Sequence, residues 1–411
     1  MRLVRDHDEW DVQLEGPIVR LDRPGAPSEL VRAGSLEEAR AAYRDAIDAR
    51  LAEGYVEAPD PVTDRDARLV HADELQLRGD PAGELIAVHA ELAALRPDAD
   101  PRQRRRIENR AAAILDLHHD AWFGALARHV RKPSRKSPPV PVLEVTWRLG
   151  FAEDARLRGT EALPLHEAYA RLRELSLSRQ ILRLVIGPPD ASARPSGASF
   201  PGYPNTAGPS YEALVDAMLQ HGIPSRLREL VLGDDQVHRR PVLWLAHARA
   251  VVEAAPALEV LRIVGGHGDL ALRPSRLRVL ELCDVTRDDL SRLAHAELPD
   301  LEELVLRARD RIPPPAVFEV FPRLQRLTLE GFARAGSGRQ TLLEYLVEAA
   351  PGSLRAVALP RCALEDRDLA TVTEHPERFR PLARLDLRHN RFSRAAAAAA
   401  KRRVPALRVN P

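Results

Sequence analysis

The densest group of side chains that could engage a charged ligand lies in residues 102–136. This stretch carries ten lysines and arginines against three acidic residues. Cationic side chains at this density can contact nucleic-acid phosphates, with an affinity that falls as salt rises. The candidate contacts are Arg104, Arg105, Arg106, Arg131, Lys132, Arg135 and Lys136, with Arg23 outside the stretch. The alternative, which the arginine-rich composition favours, is a solvated helix face and a basic, proline-containing linker at 131–141.

Residue types that perform catalysis or hold metals occur without a supporting pattern. Cys283 and Cys362 each follow a predicted strand, with no histidine in the local sequence to activate a thiol. The histidines show no spacing typical of a zinc site. The glycine-containing segments lack the motifs of a P-loop or a dinucleotide site. We therefore assign no catalytic, cofactor-binding or metal-binding residue and expect a protein that is not an enzyme.

Charge and cysteine content narrow the class of protein. The 411 residues include 61 basic and 60 acidic side chains, so the whole chain has no net field that would attract a polyanion. Two cysteines are too few for a disulfide framework, and charges fill Met1–Trp10 where a secretory signal needs an apolar core. No apolar run reaches the roughly 18 residues that span a bilayer. The expectation is a cytoplasmic protein without a membrane partner.

A repeated aliphatic pattern sets the predicted architecture. Seven segments follow or approximate L-x-x-L-x-L, and each suits a short strand whose three apolar side chains are covered only when the next unit stacks on them. Residues at helical spacing lie between them, for example Leu214/Met218/Leu219 and Leu245/Val251/Val252. The pattern predicts an α/β fold, a leucine-rich-repeat solenoid. The seven segments are Leu227/Leu230/Leu232, Leu258/Leu261/Ile263, Leu277/Leu280/Leu282, Leu301/Leu304/Leu306, Leu324/Leu327/Leu329, Leu354/Val357/Leu359 and Leu382/Leu385/Leu387.

Two further copies precede these seven, but they start nine residues apart, which is too close for successive units. They begin at Leu172 and Ile181. Leu165, Tyr169, Leu172 and Leu175 share one helical face. We therefore predict a helix over 165–177 and a strand at 181–186.

Local signals predict several turns and helix starts. Residues 10–21 alternate as a hairpin with its turn at Gly16-Pro17. Ser35 with Glu38 forms a capping-box pattern, Asp80-Pro81 starts a second helix, and Thr286 is an N-cap. Asn390 stands where it can satisfy turn backbone groups. The Pro/Gly/Ser-rich segment 187–210 is either disordered or a binding loop.

The side chains between the inward leucines should form adjacent rows on the concave face of the sheet. They include both signs of charge, which suits a specific protein partner better than a phosphate backbone. The alternative is that they only confer solubility. The candidate partner-binding residues are Arg228, Glu229, Glu259, Arg262, Arg278, Glu281, Glu302, Glu303, Gln325, Arg326, Arg384 and Asp386.

Three parts of the chain resemble known modules. Residues 181–411 resemble the ribonuclease-inhibitor-like class of leucine-rich repeats. The order "EWDVQLEG", "DRPG" and "SLEEARAAYRDAIDARLAEGYVEA" resembles the WGR domain of poly(ADP-ribose) polymerases and some bacterial proteins. In that domain a tryptophan and an arginine contact DNA. Here Leu21 and Asp22 replace the tryptophan and glycine of the signature, while Arg23 and Gly25 remain, so a packing role is favoured over DNA binding.

Residues 65–126 resemble a helical companion domain found beside leucine-rich repeats in some bacteria. Its A-D-x-L-x-x-R-G-D-P core is matched by Ala72, Asp73, Leu75, Arg78, Gly79, Asp80 and Pro81, with Trp122 at its end and an R-x-G-F segment at Arg148, Gly150 and Phe151. The resemblance implies an N-terminal cap for the repeats. The predicted domains are 1–60 (WGR-like), 61–130 (companion), 131–141 (linker) and 142–411 (repeats).

The leading hypothesis is a non-enzymatic scaffold that binds a protein partner on the concave face. The alternative hypothesis is a nucleic-acid-associated protein that uses residues 102–136 and the WGR-like module.

Overall fold

The computed structural model of the protein describes residues 2–5, 8–15, 18–23, 29–34, 36–53, 56–57, 65–130, 142–187, 211–233, 244–245, 248–264, 266–267, 269–273, 276–308, 320–332, 342–349 and 352–409. The chain is a mixed α/β protein with a large parallel sheet. It divides into two compact units, Met1–Asp190 with Ala213–Arg228, and Ala191–Glu212 with Glu229–Pro411. The predicted linker at 131–141 and residues 188–210 lie outside the described residues.

The first unit begins with a five-stranded antiparallel sheet, in the order β4-β3-β2-β1-β5. The predicted hairpin is confirmed, because Glu15 pairs with Ile18 in an antiparallel register. Val12 and Val19 of the sheet form a small core with Ala39 of the following helix. The Ser35 cap prediction lies outside the described residues. The elements are β1 Arg2–Arg5, β2 Asp8–Glu15, β3 Ile18–Asp22, β4 Glu29–Arg32, α1 Leu36–Ala52 and β5 Val56–Glu57.

A helical bundle follows, and its first turn explains the companion-like motif. Gly79 takes a left-handed φ of 71°, which lets the chain reverse after α2. The Asp80 carboxylate then accepts a 2.9 Å hydrogen bond from the Ala82 N–H, and Pro81 occupies the first turn, as predicted. The elements are α2 Arg65–Leu77, α3 Pro81–Ala94, α4 Pro101–Leu117, α5 His119–Phe123 and a 3₁₀ helix at Gly124–His129.

The R-x-G-F segment forms the turn of a hairpin that packs on this bundle. β6 Leu143–Arg148 and β7 Phe151–Leu157 are antiparallel, and both turn residues, Leu149 and Gly150, have positive φ. A Cβ at position 150 would lie 2.4 Å from the Cα of Ile86, so only glycine fits against α3. Trp147 stacks 5.3 Å from Trp122 between ring centroids. The bundle therefore covers one end of this hairpin.

The remaining elements of the first unit confirm that the copy of the leucine pattern beginning at Leu172 is helical and that the copy beginning at Ile181 contains the strand. α6 Leu165–Glu174 and a 3₁₀ helix at Ser176–Gln180 precede β8 Arg183–Ile186, which pairs in parallel with β7. α7 Glu212–His221 follows. The Tyr169 hydroxyl donates a 2.8 Å hydrogen bond to the Gly222 carbonyl, which fixes the end of α7 against α6.

In the described part of the second unit eight strands are parallel, and chain neighbours in this series are also hydrogen-bonded neighbours. They are β9 Glu229–Leu232, β11 Val260–Val264, β13 Val279–Val285, β14 Glu303–Ala308, β15 Arg326–Glu330, β16 Ala356–Ala358, β17 Arg384–Asp386 and β18 Leu407–Arg408. A separate pair is β10 Trp244–Leu245 with β12 Gly266–His267. The helices are α8 Ala248–Ala254, α9 Arg287–Leu293, α10 Leu342–Ala349, α11 Asp366–Glu374, α12 Pro376–Phe379 and α13 Arg394–Arg403.

The predicted inward leucines stack in register. Leu230 pairs with Leu261, and Leu304 pairs with Leu327, and all four are buried. The predicted Thr286 cap is confirmed: Thr286 and Asp289 exchange hydrogen bonds of a capping box at the start of α9. Each strand therefore contributes the same apolar row to one interior.

Several repeats have one left-handed residue shortly after the last inward leucine. Asp284, Arg361 and His389 have φ of 62°, 56° and 65°, two residues after that leucine. Gly331 occupies the same place, and Gly233 lies one residue earlier in its repeat. The next residue then points inward: the Asn390 amide donates 2.7 and 2.9 Å hydrogen bonds to the carbonyls of Leu359 and Leu387, which confirms its predicted role.

Two predictions for this unit were wrong. Leu245 was expected on a helix but lies in β10, which pairs with β12, and α8 begins only at Ala248. Cys283 was expected beyond a strand but lies within β13, which continues to Val285. The strand is longer than the leucine template because it pairs with β11 on one side and β14 on the other.

Candidate functional site

The candidate site is the exposed face of the second unit's sheet, defined here by the side chains that alternate with the buried leucines on β9, β11 and β13–β17. Three register rows form it. One row runs from Glu229 through Val260 and Val279 to Glu303, and the next runs from Val231 through Arg262 and Glu281 to Val305. The third row runs from Cys283 through Arg307 to Glu330, so each row combines charged side chains with uncharged ones.

Six charged residues of the exposed face form a continuous chain of ion pairs, which we call the charge ladder. It runs Glu229–Arg262 (3.8 Å), Arg262–Glu281 (3.5 Å), Glu281–Arg307 (2.8 Å), Arg307–Glu330 (3.3 Å) and Glu330–Arg361 (2.7 Å). Acidic and basic residues alternate at every step. Its acidic members are better buried than its arginines, with Glu281 at 14% side-chain exposure and Arg361 at 71%.

Two further ion pairs lie beside the ladder. The Arg278 guanidinium donates to both carboxylate oxygens of Glu302 at 2.8 and 2.9 Å, and this hydrogen bonding raises the pKa of Arg278. Arg326 donates to Glu303 at 2.7 Å. Both pairs join adjacent strands, so they fix side-chain positions as well as charge.

The face ends in a pocket that carries more basic than acidic groups. We call it the arginine pocket; it is a cavity of about 380 Å³ lined by Glu330, Ala358, Pro360, Arg361, Arg384, Asp386, Arg388 and His389. Arg384 and Arg388 both donate to Asp386 Oδ2, at 2.6 and 2.7 Å. Burial alone would raise the pKa of Asp386, but the hydrogen bonds from Arg388 and Arg384 outweigh it and lower that pKa. Asp386 is therefore ionised at neutral pH.

Most of the twelve residues predicted for this face form pairs among themselves or with close neighbours. Glu229, Arg262 and Glu281 are brought together, as are Arg278 with Glu302, Glu303 with Arg326, and Arg384 with Asp386. Arg228, Glu259 and Gln325 are not members of the charge ladder. They precede their strands, where the backbone carbonyls of Glu259 and Gln325 accept hydrogen bonds from the next repeat.

Four members of the site were missed by the leucine template. Arg307, Glu330 and Arg388 each directly follow the last inward leucine of a repeat, and Arg361 lies one residue further on. The period-two alternation of a strand would have identified the first three as outward-facing. Arg361 reaches Glu330 only because of its left-handed turn, which the aliphatic pattern does not reveal.

Of the residues predicted to contact nucleic acid, those that the structure describes lie in the first unit. Arg104, Arg105 and Arg106 are on α4; Arg105 and Arg106 are exposed and Arg104 is half-buried. Arg110 of the same helix pairs with Glu84 and Glu91. Arg131, Lys132, Arg135 and Lys136 lie outside the described residues.

The N-terminal antiparallel sheet contains its own contacts. Arg23 follows β3 and lies 5.8 Å from the Trp10 ring centroid, and Arg50 lies 4.0 Å from the same centroid. Asp22, which replaces the glycine of the signature, forms a 3.8 Å ion pair with Arg179. Trp10 and Asp22 thus have packing contacts within this unit.

Among the residues that the structure describes, the side chains show no arrangement for binding a metal, and one of the two cysteines is deeply buried. No group of three or more His, Cys, Asp or Glu side chains there is arranged to hold a metal ion. Cys362 is buried, its Sγ lies 3.1 Å from the Leu329 carbonyl oxygen, and burial raises the pKa of this thiol to about 12. Among the described helices, none is sufficiently long and apolar to cross a membrane.

Comparisons with known proteins add little to this geometry. No protein-family model matches the chain, and the search of curated proteins found no match. The crystal structure of a protein from Bacteroides fragilis aligns with 100% of this chain and 95% of its own chain, at 13% sequence identity and a TM-score of 0.44. Similarity at this level carries no argument about function.

Proposed function

We propose that the protein is a non-enzymatic, cytoplasmic scaffold that binds another protein on the exposed face of a leucine-rich-repeat arc, with the helical bundle as the N-terminal cap of the repeats. The observation that carries this proposal is the charge ladder. Its ion pairs hold long arginine side chains in defined positions before any partner arrives. Less side-chain freedom is then lost when an interface forms.

The composition of the face favours a protein partner over a polyanion. The ladder contains three glutamates and three arginines, so it is neutral as a set. A phosphate backbone would have to displace carboxylates from these arginines. Small residues between the charges, such as Val260, Val279 and Thr328, leave apolar surface that a protein side chain can cover.

Affinity capture from the native host tests the proposal. Tagged full-length protein is compared with Arg262→Glu and Arg326→Glu, each of which reverses a charge on the face. The matched control is Arg249→Glu, which breaks an ion pair with Glu253 on α8. We expect at least one protein to be retained by the wild type and the control and lost from both face variants, with circular dichroism unchanged. Equal recovery of every captured protein by all four chains would contradict the proposal.

A second candidate function is nucleic-acid association through α4. Among the described residues, Arg104, Arg105 and Arg106 make no ion pair, in contrast to the paired arginines of the exposed face. Retention on DNA or RNA that weakens with salt, and that is lost when all three are changed to Glu, would support it. Salt-insensitive retention, or retention unchanged in the triple variant, would exclude α4 as the binding surface.

A further inference from the structure

The alternation of the charge ladder stops at one identifiable position. Successive repeats contribute Glu229, Arg262, Glu281, Arg307, Glu330 and Arg361. In the next repeat Arg388, not an acidic residue, directly follows the last inward leucine as Arg307 and Glu330 do, and His389 comes after it. His389 occupies the same place as Arg361, two residues after the last inward leucine and with the same left-handed backbone. The place equivalent to Arg361 therefore holds a histidine, and neither of the two residues after Leu387 is acidic.

The charges around this position are unbalanced. The arginine pocket contains three arginines against two carboxylates, Glu330 and Asp386. Both carboxylates are already shared, because Glu330 contacts Arg307 and Arg361, and Asp386 contacts Arg384 and Arg388. An arginine carries five N–H donors in a planar fork. Arg361 and Arg384 each contact their carboxylate through a single terminal nitrogen, so most of each fork remains for a ligand.

We infer that the arginine pocket binds a carboxylate from an acidic segment of the protein partner, beside His389 at the end of the charge ladder. This inference rests on the proposed function and names the chemistry that the partner presents. A single carboxylate balances the surplus of one positive charge. A dianionic phosphate would exceed that surplus and would meet repulsion from Glu330 and Asp386. The arginines of the pocket are also held in place by hydrogen bonds to Glu330 and Asp386, so their positions already suit a carboxylate ligand.

Peptide binding to two variants at one position tests this inference. The probe is a fluorescein-labelled peptide Gly-Gly-Glu-Gly-Gly with an amidated C-terminus, so that it presents one carboxylate, and its control is Gly-Gly-Gln-Gly-Gly, amidated in the same way. His389→Asp places a carboxylate of the chain itself in the pocket, while His389→Asn has nearly the same shape and also tolerates a left-handed backbone. We expect fluorescence anisotropy to show binding of the acidic peptide only, weakened about ten-fold or more by His389→Asp and changed less than about two-fold by His389→Asn.

Other outcomes would overturn the inference. They are equal binding of the two peptides, no binding of either, no loss in His389→Asp, or saturation of the pocket by inorganic phosphate with no acidic-peptide binding. Arg384→Gln provides the same test if His389→Asp fails to fold, and it is expected to weaken the acidic peptide. Arg323→Gln, whose ion pair with Asp300 lies outside the pocket, should leave binding unchanged. If the peptide test fails but affinity capture still finds a protein that is lost from Arg262→Glu and Arg326→Glu, the inference about the pocket is wrong and the proposed function is still supported.

Discussion

At the scale of single residues, Asp386 shows how burial and hydrogen bonding compete. It is nearly buried, which alone would favour the neutral acid, yet hydrogen bonds from two arginines keep it ionised. The ionised carboxylate in turn holds Arg384 and Arg388 at one edge of the arginine pocket. This residue therefore links the stability of the repeat to the geometry of the site.

Asp386→Asn should lower the free energy of unfolding at pH 7 by about 1 to 2 kcal/mol, a discounted value because both arginines are half exposed to solvent. The pKa of Asp386 is depressed, so its stabilisation is present above the unfolded-state pKa of about 3.9 and is lost as pH falls toward the lower folded-state pKa. Urea unfolding should therefore show a difference between the two proteins that shrinks from about pH 5 to about pH 2. Asp300→Asn, which removes an exposed ion pair, is the control and should change stability by less than about 0.5 kcal/mol. A difference that grows in acid would contradict this account.

At the scale of secondary-structure elements, the hairpin of β6 and β7 depends on one close backbone contact. Gly150 combines a φ of 86° with an approach to α3 that leaves no room for a Cβ. Gly79 also has a left-handed φ, but nothing lies within 4 Å of the place where its Cβ would be. Substitution of Gly79 therefore tests backbone strain alone, whereas substitution of Gly150 tests backbone strain together with a steric clash.

Gly150→Ala should destabilise the protein more than Gly79→Ala. The change at 79 adds only left-handed strain, about 1 kcal/mol. The change at 150 adds the same strain and a clash that must separate the hairpin from α3, so we expect about 3 kcal/mol or more. Thermal unfolding monitored by circular dichroism measures both, with the fluorescence of Trp147 and Trp122 reporting the local packing. Equal losses at the two positions would show that the contact with Ile86 relaxes without cost.

Elements fixed by buried side chains were predictable, and those fixed by pairing partners were not. The inward leucines, the Asp80 and Thr286 caps and the strand ending at Ile186 follow from local spacing and capping chemistry. β1 was missed because its four residues are charged at both ends, and it exists by pairing with β2 and β5. In the candidate site, the rows of the face were predictable, but Arg361 joins them through a backbone turn that leucine spacing does not encode.

At the scale of the whole molecule, each strand of the second unit is stabilised by its immediate neighbours. Leu304 on β14 lies between two strands, and Leu407 on β18 is paired with β17 alone in the described sheet. In such a series, stability is close to a sum over adjacent interfaces. Changes in the middle of the series should therefore cost more than changes at its end.

Leu304→Ala should reduce the free energy of unfolding by about 3 to 5 kcal/mol, because the cavity lies in a fully packed interior. Leu407→Ala should cost less, about 1 to 2 kcal/mol, because the terminal repeat can relax into the space. Hydrogen exchange of backbone amides should show the first change reducing protection on both sides of β14 and the second confined to β17 and β18. A larger loss of unfolding free energy for Leu407→Ala than for Leu304→Ala would mean that the other strands depend on the last one for their stability.

The neutrality of the charge ladder also bears on how fast a partner could associate. Alternating charges cancel at distances beyond about 8 Å, the screening length in physiological salt, so this row produces no long-range attraction. Encounters with it would proceed near the unsteered rate of about 10⁵ to 10⁶ M⁻¹s⁻¹ and change little with ionic strength. Discrimination between partners would then depend on the dissociation rate of each complex.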